Sequence, residues 1–70
     1  MGMTHPLRQF RITHGITLEQ LARSTGTTAA TLSRIECGLR LPSAMLMRKL
    51  VEATNGKVRA DDFLLGLKAA

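Results

Sequence analysis

Seventy residues make one small domain, which at this size buries only about 60% of its unfolded surface, and a 44% apolar content supports a single core and argues against disorder. Ten Lys and Arg against five acids give a net charge of +5, which favours a polyanionic partner without choosing among DNA, RNA and an anionic membrane. With no Trp or Tyr and only Phe10 and Phe63, the core is expected to be aliphatic and methionine-rich, and the scarcity of stacking surface weighs against a single-strand or RNA-recognition-motif reading.

Met1 to Thr4 reads as a flexible arm. A first helix starts near His5 and Pro6, proline being welcome in a first turn, turns Leu7 and Phe10 inward and ends at Gly15. Thr17 caps the second helix, with Gln20 at capping-box spacing and Ile16 and Leu21 at the positions of a hydrophobic staple. Ala22 sits where another helix must approach closely, and Gly26 leaves the helix in a left-handed conformation cheap only for glycine. Thr28 caps a third helix, spanning 28–37, with Leu32 and Ile35 on one face and Gly38 as its stop. Leu39 to Pro42 is a loop. Ser43 caps a fourth helix that turns Leu46, Leu50, Val51 and Ala53 to the core and stops at Asn55 and Gly56. A short fifth helix starts near Ala60, with Asp61 and Asp62 in its first turn, where the helix dipole favours negative charge, and Phe63, Leu64 and Leu67 as its apolar contribution. The second and third helices have the spacing of a helix-turn-helix, whose second helix is built to enter the DNA major groove.

LEQLA at Leu18 to Ala22, GTT at Gly26 to Thr28, LSRIECG at Leu32 to Gly38, Arg11 and the Pro42–Ser43 pair together resemble the Cro/repressor-type (lambda-repressor-like) DNA-binding domains, over roughly Leu7 to Phe63. The resemblance implies an all-α, compact five-helix bundle, with residues 1–70 forming a single helix-turn-helix DNA-binding domain. It also implies that Arg11 and Glu36 form a structural ion pair between the first and third helices; a phosphate contact by Arg11 is not exclusive of that.

A helix docking by its N-terminus offers Thr28, Ala29, Ala30, Ser33 and Arg34 to base edges. Relatives often carry glutamines where this chain has Ala29 and Ala30. Alanine cannot hydrogen-bond a base; it packs on a thymine methyl or makes no contact at all. Hydrogen-bonding specificity then falls largely to Arg34, able to hold guanine O6 and N7 bidentately, with Thr28 and Ser33 as weaker readers. The alternatives for Arg34 are a phosphate contact or a solvated side chain. Leu18 offers phosphate its helix N-terminal amide, where many relatives add a glutamine side chain, and Arg40 is the best-placed cation. Arg23, Arg48 and Lys49 read as solvated charges.

The rest of the chain offers little chemistry. Its acids are scattered, no serine has a histidine partner and no glycine-rich phosphate loop is present, so no enzyme, metal or cofactor is expected. His5 and His14 read as surface residues, Cys37 as an inert helix-end residue that suits a reducing cytoplasm, and at most one of Met45 and Met47 as core. No apolar run of about 18 residues and no leader pattern is visible, so a soluble, non-secreted protein is expected. The function expected is sequence-specific binding of double-stranded DNA by a transcriptional repressor. It would act as a homodimer, self-associating through Gly56 to Leu67 because Leu64, Leu65 and Leu67 exceed what one helix face buries. Two rivals stay open: a protein-interaction module such as an antitoxin that neutralises a toxin, slightly favoured by the alanines, and a non-specific architectural or RNA-binding protein.

Overall fold

The computed structural model describes residues 5–63. It is all-helical, with α1 at Pro6–Thr13, α2 at Leu18–Thr25, α3 at Ala29–Glu36, α4 at Ala44–Ala53, and a fifth helix, α5, that starts at Ala60 and is described as far as Phe63.

Local chemistry sets most of these boundaries. Thr17 Oγ1 accepts the Gln20 N–H at 3.0 Å while Gln20 Oε1 accepts the Thr17 N–H at 2.9 Å, a reciprocal capping box that starts α2. Gly26 ends it at φ +75°, and the Thr27 N–H reaches back to the Ala22 carbonyl at 3.0 Å. Thr28 Oγ1 accepts the Thr31 N–H to start α3, and Ser43 Oγ accepts the Leu46 N–H to start α4, each at 3.2 Å. The start of α5 uses half of the same device: Asp62 Oδ2 accepts the Arg59 N–H at 2.8 Å.

The core gathers Leu7 of α1, Leu21 and Ala22 of α2, Leu32 and Ile35 of α3, Leu50 of α4, Val58 and Phe63. Phe10, Ile16, Leu18, Leu46 and Met47 pack around it, half-buried. Close contact of α2 with both α3 and α4 holds the centre of the fold. Ala22, at 4% exposure, has only a methyl group to place there.

Four expectations need correction. Ala53 is exposed and Val51 only half-buried, because the inward stripe of α4 runs through Met47, Leu50 and Thr54; at 100° per residue Ala53 and Val51 fall on its opposite flanks. Thr54 is fully buried, its hydroxyl donating to the Leu50 carbonyl at 3.0 Å and accepting the Val58 N–H at 3.2 Å. The described core is aliphatic with one phenylalanine rather than methionine-rich: Met45 is 70% exposed and Met47 packs only at the core's edge. His5 is buried, not a surface residue, because it serves as the N-cap of α1, its Nδ1 accepting the Leu7 N–H at 3.0 Å. Finally, Val58 and Phe63 lie inside the protomer's own core, which removes them from the self-association surface expected over Gly56 to Leu67; Leu64, Leu65 and Leu67 lie outside the described residues, as does the Met1 to Thr4 arm.

Candidate nucleic-acid interface

The sequence of α3 divides it into two faces. Leu32 and Ile35 are buried and fix its back against the core. Thr28, Ala30 and Arg34 are exposed on its outward side, with Ala29 and Ser33 half-buried at its margins. A helix only eight residues long, held by two apolar anchors, gains a third fixing point at its last residue, Glu36.

That third point is ionic. Arg11 Nε donates to Glu36 Oε2 at 2.9 Å and Arg11 Nη2 donates to Glu36 Oε1 at 3.0 Å, the fork-to-fork geometry in which arginine binds carboxylates best. Arg11 Nη1 donates to the Ile16 carbonyl at 3.1 Å, so the same guanidinium also ties in the chain before α2. The side chains are 14% and 4% exposed, and the hydrogen bond to Glu36 raises the arginine's pKa further above its ordinary value. The guanidinium therefore stays charged at every pH of interest, and three of its donors are committed inside the protein.

Several cations surround α3. Arg34 and Arg40 are exposed, the first on α3 and the second in the loop that follows Gly38. Arg23, on the outer side of α2, lines a shallow cleft with Glu19, Thr27 and Ala29, which sets a cation beside the start of α3. Lys49 lies elsewhere: its Nζ is 3.5 Å from the point where a Gly26 side chain would begin, at the C-terminal end of α2, where positive charge complements the helix dipole. Leu18 presents its backbone at the first turn of α2, while its side chain packs on the core. The first N–H groups of a helix have no acceptor within it and point outward along the axis.

Thr28 is already occupied. Its hydroxyl accepts the Thr31 N–H and lies 3.0 Å from Thr31 Oγ1, to which it donates. Sequence reasoning did not single out Thr31, although a hydroxyl three residues after a threonine cap is the available signal. With its proton and one lone pair engaged, Thr28 has only acceptor capacity left in this rotamer.

A short helix, a glycine turn and a second helix with a buried apolar back and an outward polar face define a helix-turn-helix domain. The chain belongs to the helix-turn-helix family HTH_3, of the Cro/C1 type, whose model matches residues 7–59. The crystal structure of the clp gene regulator ClgR from Corynebacterium glutamicum is similar to it, with a TM-score of 0.69 at 28% sequence identity. The likeness covers 91% of this chain and 66% of that one, so this chain spans about two thirds of that regulator's length. No curated protein matches the sequence. Among the described residues, no helix is long and apolar enough to cross a membrane.

Proposed function

We propose that this chain is a sequence-specific reader of double-stranded DNA that regulates transcription, by default as a repressor occupying its operator in the cytoplasm, and that it acts by binding rather than by catalysis. The observation that carries this reading is the presentation of α3: its back is buried through Leu32 and Ile35, its end is held by Arg11, and its front carries exposed Arg34 and Ala30, with Ala29 half-buried at the margin. A rigid helix with a small-residue front can seat deeply in a major groove.

In this reading Arg34 reads guanine by its O6 and N7, Ala29 and Ala30 pack on thymine methyls, and Ser33 adds a weaker contact. Thr28 contributes mainly as a cap and, through its remaining lone pair, as an acceptor toward an exocyclic amine. The Leu18 amide and Arg40 hold phosphates on either side, with Arg23 as a further cation near the start of α3. The chain works as one helix-turn-helix domain. A homodimer on a two-fold operator, with half-sites about one helical turn apart, supplies the contact area that one small module lacks.

The test is selection from a random duplex library at near-physiological salt. Recovery of a defined motif supports the reading, and a palindromic motif supports the dimer as well. Binding that depends steeply on salt with no enriched motif contradicts it and points to a non-specific binder. Absence of binding, with a small protein partner co-purifying, points instead to an antitoxin-like module.

A further inference from the structure

We propose that His5 is a proton-sensitive latch that ties the start of α1 to the start of α5. The cap it forms works only for a neutral ring. Nδ1 accepts the Leu7 N–H at 3.0 Å, which places the ring's own proton on Nε2. A second proton must bind Nδ1, where it removes the acceptor, confronts the N–H that had been held, and sets a positive charge at the positive end of the α1 dipole.

The surroundings give that charge little relief. His5 is 7% exposed, and its ring lies against Phe63, centroids 5.5 Å apart at 48° between planes, with Phe63 itself 2% exposed. The charged groups facing the ring are Glu36 of α3, which is bound by Arg11 of α1, and Asp62 of α5. Both acids are engaged: Glu36 accepts two hydrogen bonds from Arg11, and Asp62 accepts the Arg59 N–H. Their attraction raises the imidazole's proton affinity, but loss of hydration on burial outweighs it and leaves the pKa below the ordinary histidine value.

The sign of the linkage follows. The unfolded chain takes up the proton near pH 6.5 and the folded protein takes it up only at lower pH, so the folded state binds fewer protons in between. Stability from the latch is complete above about pH 6.5 and is lost as pH falls from there through the folded value. Because His5 joins the first residues of α1 to Phe63, the corner between α1 and α5 loosens on acidification while the caps and core contacts of α2 and α3 are not directly touched.

The experiment is an NMR titration of the wild-type chain between pH 7.5 and 5, following the His5 ring and the Leu7 amide, beside thermal unfolding of His5→Asn and the control His14→Asn over the same range. Asparagine is a good N-cap without an imidazole. The expected result is a His5 midpoint below 6.5, a Leu7 amide shift that tracks it, and a wild-type acid-induced fall in Tm larger than that of His5→Asn, with His14→Asn still showing the Leu7 amide shift of the wild type. A Leu7 amide that ignores the ring titration, a midpoint at or above 6.5, or a His5→Asn variant with the wild-type pH slope would overturn the proposal. If His5→Asn does not fold, the wild-type titration alone decides.

Discussion

Arg11 holds Glu36 by two parallel hydrogen bonds, of 2.9 and 3.0 Å, and so joins the last residue of α3 to the last turn of α1. A carboxylate 4% exposed has no water to turn to if its partner is lost. Arg11→Ala should therefore cost about 3–5 kcal/mol in urea unfolding, mostly as the penalty of a stranded buried charge. The double variant Arg11→Met/Glu36→Leu should cost clearly less than the single one. A double variant as unstable as Arg11→Ala would mean that the pair itself, rather than the stranded charge, carries the stability.

Gly26 stands at φ +75° with Lys49 Nζ 3.5 Å from the position of a side-chain carbon. That contact is ordinary and the lysine can move, so the backbone conformation decides the outcome. Gly26→Ala should destabilise by about 1–2 kcal/mol, and Gly26→Asn by less, since asparagine tolerates the left-handed region. Equal costs for the two variants would assign the effect to crowding instead.

Thr28 separates folding from recognition. Loss of its cap in Thr28→Ala should cost about 0.5–2 kcal/mol of stability, while Thr28→Ser, which keeps the hydroxyl, should cost much less. If the residue acts on DNA mainly as a cap, the affinity lost by folded Thr28→Ala is spread over all sites and leaves the preferred motif unchanged.

Much of the scaffold was legible because its determinants are local. The Thr17–Gln20 capping box, the Gly26 turn and the threonine and serine caps at 28 and 43 each involve residues a few positions apart, and the structure has each at its expected place. The misses are long-range or concern phase. His5 is buried where Phe63 returns from the far end of the chain to pack against its ring, which no local pattern around HPLRQF announces. An apolar side chain reads as core, so the sequence points to Ala53 rather than Thr54 as the inward residue. The α4 stripe passes through the threonine, whose hydroxyl is satisfied by backbone and so hides its polarity. On the interface itself, sequence names which residue types stand on α3 but not that the Thr28 hydroxyl is already committed to Thr31.

Arg40, in the loop after α3, is exposed and free to reach a phosphate. Arg40→Ala should weaken binding uniformly across sequences and reduce the slope of log affinity against log salt by about one. A change confined to particular sequences would make it a base reader.

The most direct test of the central claim is selection of binding sites from a random duplex library with wild type beside Arg34→Ala. The account predicts a motif containing a guanine whose preference relaxes in Arg34→Ala, with about 1–3 kcal/mol of discrimination lost at that position and the rest of the motif retained. An unchanged motif in Arg34→Ala would contradict the assignment of base reading to this residue, and no motif with either protein would contradict sequence-specific recognition by α3 altogether.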